Sequence, residues 1–111
     1  DELRASAEAI AERAELGDDW MLAWQSAGRT PEPWRGPDIL DVIRDLGAGG
    51  DVTGVVVCPQ GFVSDHLEVL YDLDVDAHQA TRLGELLFAR TASINDEPAV
   101  MAALAERVRR A

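Results

Sequence analysis

The sequence predicts one α/β domain in which helices flank a parallel sheet. Three short apolar runs alternate with helical patterns along the 111 residues, and 47% of the residues are hydrophobic, enough for a modest core. The middle run is an unbroken β-branched stretch without a polar side, which is typical of a sheet covered on both faces. Strands separated by helices imply right-handed crossovers between parallel neighbours. The predicted order is α-β-α-β-α-β-α.

The three predicted strands differ in their patterns. Residues 19–26 alternate apolar side chains with others, and we expect Trp20 and Trp24 to pack within the sheet. Residues 52–61 contain the continuous valine run, and residues 85–93 form the third strand.

Helical patterns occupy four stretches, at residues 1–16, 37–47, 64–83 and 96–110. Pro37 and Asp38 open the second helix, because proline is favoured in a first helical turn, and the glycines that follow residue 46 end it. Asp96 is predicted to cap the last helix, with Glu97 and Pro98 in its first turn.

The third helical pattern carries two rows of side chains three or four positions apart. We call the first the acidic row, and it consists of Asp65, Glu68, Asp72 and Asp76. The second is apolar and is predicted to face the core; it consists of Leu67, Leu70, Leu73 and Ala77. Like charges four positions apart repel by a few tenths of a kcal/mol per pair, so the acidic row needs solvent or a cation. A structural alternative is that the first two acids form a variant capping box and the last two a solvated face.

The acidic row begins where this fold class binds ligands. In open parallel sheets, ligands lie beyond the carboxyl ends of the strands, which here are followed by residues 25–38, 58–66 and 91–98. Asp65 and Glu68 should therefore lie at the ligand edge, with Asp72 and Asp76 leading away from it.

Composition excludes several classes of function. The net charge of −11 argues against nucleic acid as a partner, because phosphate binding needs clustered Lys and Arg. A single cysteine, Cys58, allows no internal disulfide and no iron–sulfur cluster, and we expect it to be inert in the core. No apolar run approaches the roughly 20 residues of a membrane span, and the first residues are too charged for a signal peptide. We expect a cytoplasmic protein without a transmembrane segment.

Three motifs carry a resemblance to a known family. They are W-x-L-A-W-Q-S with P-W-x-x-P-D downstream, then VVVCPxGFVSDHLEVLYDLD, then ARTASxND-x-P. On these motifs the chain resembles the C-terminal third of the ferrochelatases, which insert Fe²⁺ into a porphyrin. The resemblance covers essentially all 111 residues. It implies a two-lobed chelatase-like fold, Rossmann-like or flavodoxin-like, in which residues 1–111 form one lobe that is incomplete at its N-terminal side.

The resemblance also implies roles for the acidic row. Glu68 corresponds to the active-site glutamate, and Asp72 and Asp76 continue an acidic path for metal or protons along a helix with a π-helical segment, a mark of functional sites. His66 and Asp65 are further catalytic candidates. Fe²⁺ is then a substrate, and Mg²⁺ or another divalent ion is expected at the acidic row, whose carboxylates are hard oxygen donors.

Contacts with the macrocycle are expected from the ligand-edge loops. The resemblance suggests Trp34, Arg29 and Ser64 for this role. Many family members carry an arginine where this chain has Ala27, so Arg29 is the candidate to bind an anionic group in its place. Whether the porphyrin is protoporphyrin or coproporphyrin stays open.

One part of the family's site precedes this sequence. The family pairs its glutamate with a histidine in an AHS-type motif on an earlier strand, and neither His66 nor His78 replaces it. We therefore expect the chain alone to be inactive and to need the remaining N-terminal part of the enzyme. The main alternative is a non-catalytic module that binds a porphyrin or a divalent metal. A flavodoxin-like domain for an anionic ligand is disfavoured, because GAGG at residues 47–50 follows a helix and does not form a phosphate loop.

Overall fold

The computed structural model describes residues 2–25 and 35–111, and these residues form a mixed α/β structure. Two strands and four helices follow one another in the order α-α-β-α-β-α. Their bounds are α1 Glu2–Arg13, α2 Ile39–Gly49, β1 Gly54–Val57, α3 at residues 67–83, β2 Leu87–Arg90 and α4 Pro98–Arg110. The predicted α/β class is confirmed, and the order differs by one strand.

The sheet consists of β1 and β2, which pair in parallel from Gly54 opposite Leu87 to Val57 opposite Arg90. Helix α3 is the crossover between them, so the predicted parallel pairing of these two strands is confirmed. The predicted cover on both faces is wrong within the described part of the chain, because Val56 and Leu87 are 71% and 76% exposed.

The predicted first strand is wrong over residues 19–25. Only Trp24 pairs, through an isolated bridge in which its N–H donates to the Pro37 carbonyl and its carbonyl accepts from the Ile39 N–H, both at 2.9 Å. A strand needs a neighbour along several residues, and within the described ranges the backbone of this stretch pairs only with the start of α2. Trp24 contacts the Arg35 guanidinium instead, 5.8 Å from the ring centroid.

Three helices, α2, α3 and α4, begin two or three residues later than predicted. Helix α2 starts at Ile39, because the Asp38 carboxylate caps it by accepting from the Leu40 N–H at 2.8 Å, and Pro37 belongs to the bridge before it. The predicted glycine end of α2 is confirmed by Gly50, whose φ of 70° is left-handed. Helix α4 has Glu97 at its N-cap position, not Asp96 as predicted.

Helix α3 changes its hydrogen-bonding pattern twice. Its segments are α-helical Leu67–Val69, π-helical Leu70–Ala77 and α-helical His78–Leu83. The π segment that the resemblance implied is confirmed, and the His78 N–H donates to the Leu73 carbonyl five residues back and also to the Val75 carbonyl.

The core lies between α2, α3 and the sheet, and its buried members are Ile43, Val69, Leu73, Ala77, Ala80 and Leu86. The predicted apolar row is therefore half wrong, since Leu67 is 79% exposed and Leu70 is 43% exposed. A π segment has more residues per turn than an α-helix, so Val69, Leu73 and Ala77, four positions apart, line up on the inner face.

The amino end of the sheet is closed by contact between two glycines. A Cβ atom placed on Gly47 of α2 would lie 3.0 Å from the Gly84 Cα and 3.2 Å from the Gly84 carbonyl oxygen. This approach brings α2 against the end of α3 directly before β2. None of the helices in the described ranges has the length and apolarity to cross a bilayer.

Candidate functional site

The loops that follow the two strands are joined at the carboxyl edge of the sheet. The Thr91 N–H donates to the Val57 carbonyl at 2.9 Å, and the Asn95 N–H donates to the Val63 carbonyl at 2.8 Å. The Asp65 N–H donates to the Asn95 side-chain oxygen at 2.9 Å. Residues 58–66 and 91–97 therefore lie together where the sequence predicted a ligand edge.

Arg90, the last residue of β2, is the central cation of this edge, and its side chain is only 13% exposed. Its Nε and Nη2 donate to the two carboxylate oxygens of Asp74 at 2.7 and 3.0 Å, which is a bidentate pair. Its Nη1 donates to Asp65 Oδ1 at 3.3 Å and to the Thr91 carbonyl at 3.1 Å. The hydrogen bond with Asp74 raises the pKa of Arg90 above its ordinary value, so this cation is permanent.

Asp65 is held as an anion by the same cluster. Its carboxylate accepts from the Ser93 hydroxyl at 2.8 Å, from the Asn95 amide at 3.2 Å and from Arg90. The bonds from Ser93 and then Asn95, with the charge of Arg90, hold the pKa of Asp65 below its ordinary value of 3.8 despite partial desolvation. These partners favour a role in holding the two loops over one in exchanging protons. The alternative capping box of Asp65 and Glu68 does not form, because His66 is the N-cap residue and Asp65 precedes it.

His66 is the residue that caps α3. Its Nδ1 accepts from the Glu68 N–H at 3.3 Å, and its ring meets the Phe62 ring edge-on at a centroid distance of 4.3 Å. Because Nδ1 is an acceptor, the neutral ring carries its proton on Nε2. That buried Nε2 has no hydrogen-bond partner among residues 2–25 and 35–111, so it is the nitrogen left to meet a ligand.

Glu68 differs from the other acids of this edge. Its backbone N–H is bonded to His66, but its exposed carboxylate makes no hydrogen bond or ion pair with any residue that the structure describes. Ser64, two residues before His66, is also exposed, and its hydroxyl has no hydrogen bond within the same part of the chain. The edge thus presents an unpaired carboxylate beside a paired cluster.

The rest of the acidic row runs away from this edge along the π segment. Asp72 and Asp76 are half-buried, and Asp76 lines a cavity of about 590 Å³ between α2 and α3 with Arg44, Gln79 and Glu85. This cavity lies at the amino end of the sheet, because residues 84 and 85 lead directly into β2. No three His, Cys, Asp or Glu side chains of the described ranges converge to hold a metal ion.

Other predicted site residues lie elsewhere. Trp34, Arg29 and Ala27 fall outside the described residues. Cys58 is exposed, so its predicted place in the core is wrong, because it follows the last residue of β1 and belongs to the edge loop.

Four residues of the paired cluster were not predicted, namely Asp74, Arg90, Ser93 and Asn95. The positions of two of them, Arg90 and Asp74, could have been recognised from the sequence. Arg90 ends an otherwise apolar strand, where a charge needs a partner, and Asp74 is an additional acid between Asp72 and Asp76.

Comparison with known proteins identifies a family to which this chain is similar. A family model described as ferrochelatase matches residues 1–111. A ferrochelatase of Herpetosiphon aurantiacus is 50% identical over 100 residues, which are 89% of this chain and 32% of the relative. A coproporphyrin III ferrochelatase of Geobacillus thermodenitrificans is 43% identical over 104 residues, 94% of this chain and 33% of the relative. A ferrochelatase of Deinococcus radiodurans is 38% identical over 111 residues, 99% of this chain and 35% of the relative. The chain spans about a third of the length of these relatives.

Proposed function

Because the chain belongs to the ferrochelatase family, we propose that it forms part of an enzyme that inserts Fe²⁺ into a porphyrin for heme biosynthesis. The observation that carries this proposal is the exposed carboxylate of Glu68, unpaired within the described residues at an edge where the neighbouring acids are paired. Parallel sheets bind their ligands at this edge. The chain alone supplies one lobe of the site, and the complete enzyme is the full-length family member that contains it.

The proposed roles follow from the chemistry of metal insertion. Fe²⁺ must lose water, two pyrrole protons must leave, and the flat ring must bend so that its nitrogens point at the metal. Glu68 is the base that accepts a pyrrole proton or the oxygen that contacts the arriving metal. Its lack of a partner in the described part of the chain supports this role, because an acid already bonded to arginine is a poor proton acceptor.

Two neighbours of Glu68 take supporting roles. His66 contacts the substrate through its Nε2, since Nδ1 is engaged by the Glu68 N–H. Asp65 anchors the two edge loops and is not itself the base, because Ser93, Asn95 and Arg90 occupy its oxygens.

The outer acids and the macrocycle contacts complete the proposal. Asp72 and Asp76 are stations for a divalent ion or for protons, with Fe²⁺ as the substrate and Mg²⁺ as a weak ligand held by two carboxylates and water. Trp34, Arg29 and Ser64 contact the porphyrin. Ser64 is supported by its exposure at the edge, and the other two by the resemblance.

The remaining N-terminal part of the enzyme is the proposed partner of this chain. A porphyrin needs walls on both of its faces, and the described residues offer the carboxyl edge of a two-stranded sheet. The chain alone is therefore expected to bind a porphyrin weakly and to insert no metal. The cytoplasmic location stays a prediction from the sequence.

A metal-insertion assay tests this proposal. Fe²⁺ is added to protoporphyrin IX or to coproporphyrin III, with the complete enzyme or with the 111-residue chain, and the loss of porphyrin fluorescence is followed. We expect insertion by the complete enzyme and only the uncatalysed rate with the chain. Turnover by the chain alone would contradict the division of the site between lobes. If the complete enzyme bound porphyrin but inserted no metal, the non-catalytic module would be the better account.

A further inference from the structure

The π-helical hydrogen bonding of the eight residues Leu70–Ala77 in α3 requires an explanation. π-Helical hydrogen bonding is rare and usually limited to single turns. Such a departure from α-helical hydrogen bonding is expected where contacts from outside the segment favour it. The structure offers one such contact, which is the bidentate pair between Arg90 and Asp74.

The position of Arg90 is fixed by the sheet, so its side chain can restrain α3. It is the last residue of β2, pairs with Val57 across the sheet, and is mostly buried. A bidentate guanidinium–carboxylate pair sets the direction of the carboxylate as well as its distance. Asp74 lies in the middle of the π segment, so the pair determines how far the helix has turned at that residue.

The same guanidinium also holds the chain before the helix begins. Its Nη1 bonds to Asp65, and Asn95 bonds both the backbone N–H and the carboxylate of Asp65. Arg90 therefore connects two points of the chain, one on each side of Glu68. A change from π to α hydrogen bonding between these points would turn Asp74 away from Arg90.

We propose that Arg90 and Asp74 are positioning residues that maintain the π register of α3 and thereby align Asp72 and Asp76 with Glu68. The relevance to catalysis rests on the function proposed above, in which Glu68 reacts and the outer acids guide metal or protons. Neither Arg90 nor Asp74 needs to touch the substrate. The alignment arises because the number of residues per turn sets which carboxylates share a face.

Two conservative variants separate this role from one of charge alone. Arg90→Lys keeps the positive charge but replaces a planar fork with a single point of contact. Asp74→Asn keeps the size but replaces one acceptor oxygen with an N–H₂ group, so the second bond is lost. The matched controls are Arg44→Lys and Asp41→Asn, which alter an exposed ion pair of 2.7 Å on α2.

The His78 N–H donates to two carbonyls, those of Leu73 and Val75, and the direct readout is the more distant acceptor in crystal structures of the complete enzyme. We expect it to move from the Leu73 carbonyl to the Asp74 carbonyl, four residues back, in both cluster variants and in neither control. The insertion rate kcat should fall about tenfold or more in both cluster variants, with the KM for porphyrin within about twofold. Lysine at position 90 should not rescue kcat.

Two results would overturn the proposal. One is a His78 N–H that still bonds to Leu73 in both cluster variants, and the other is loss of the fold in both, which would make the pair a general structural requirement. A wild-type complete enzyme that inserts no metal would instead contradict the proposed function, and the hydrogen-bond readout would remain valid.

Discussion

The two edges of the sheet are built in different ways. At the carboxyl edge, five polar side chains pair with one another, namely Asp65, Asp74, Arg90, Ser93 and Asn95. Beside them the carboxylate of Glu68 has no partner in the described part of the chain. At the amino edge, backbone meets backbone at Gly47 and Gly84, and a cavity of about 590 Å³ opens next to them.

This difference shows that a cavity and a candidate reactive group can lie at opposite edges of the sheet. The cavity at the amino edge has a volume of about 590 Å³, but the arginine among its lining residues, Arg44, already pairs with Asp41. The carboxyl edge has an unpaired carboxylate whose surroundings are fixed by hydrogen bonds, which is the arrangement that catalysis needs. We therefore expect changes at the amino edge to affect stability and changes at Glu68 to affect the reaction.

The largest stability effect is expected from Gly47→Ala. The new methyl group would meet the Gly84 backbone at 3.0 Å, and backbone cannot move aside as a side chain can, so overpacking should cost about 1 to 3 kcal/mol. Gly49→Ala is the matched control, because no atom lies within 4 Å of its Cβ position and a helical alanine is favoured. Urea unfolding measures both. Equal midpoints for the two variants would contradict the close contact, and the insertion rate of the complete enzyme should not change in either.

A smaller effect, which is present near neutral pH and disappears in acid, is expected at the carboxyl edge from Asp65→Asn. The pKa of Asp65 is lowered in the folded protein, so the unfolded chain binds more protons as the pH falls below about 4. The stabilisation from this carboxylate is therefore fully present above that pH and is lost as the pH falls through the folded pKa. The variant should be less stable than the wild type near neutral pH, and the difference should shrink as the pH falls below the ordinary pKa of 3.8.

Urea unfolding at several pH values tests this linkage. Asp51→Asn is the control, because it replaces an exposed aspartate that has no such cluster among the described residues. A stability gap that stayed constant from neutral to acid pH would show that Asp65 does not act through its charge.

The smallest effect is expected from the outer acids. Asp72→Asn combined with Asp76→Asn should weaken the proposed binding of Mg²⁺, for which two carboxylates and water would give only modest affinity. Calorimetric titration of the complete enzyme compares the double variant with Asp41→Asn, an exposed aspartate on α2. Identical isotherms for the double variant and the wild type would remove divalent binding from the role of the acidic row.

Local patterns in the sequence predicted much of this architecture. The valine run and the apolar run that ends at Arg90 are strands, and a helix between them makes the pairing parallel. The loops at residues 58–66 and 91–97 then meet at one edge, because parallel topology brings the carboxyl ends of neighbouring strands together. Glycine after α2 predicted its end for an equally local reason.

What the sequence could not predict depends on neighbours and on helix geometry. Residues 19–25 have the period of a strand, but a period does not supply a pairing partner. Leu67 was expected in the core because an α-helical period was assumed, and the π segment shifts the inner face to Val69. Asp74 and Arg90 are sixteen residues apart and belong to different elements, so no spacing rule connects them.

The central claim is that Glu68, and not the paired acids around it, carries the reaction. Glu68→Gln in the complete enzyme tests it most directly, with the exposed Glu8→Gln of α1 as the matched control. The His66 cap uses the backbone N–H of Glu68, so we expect the unfolding free energy of the variant to change by less than about 1 kcal/mol.

The insertion rate of the Glu68→Gln enzyme should fall at least about 100-fold, because an amide cannot accept a pyrrole proton. The control should keep the wild-type rate. A Gln variant that retained more than about a tenth of the activity, a loss of only about 1.4 kcal/mol in barrier, would contradict the account and move the reacting group to His66 or Asp65.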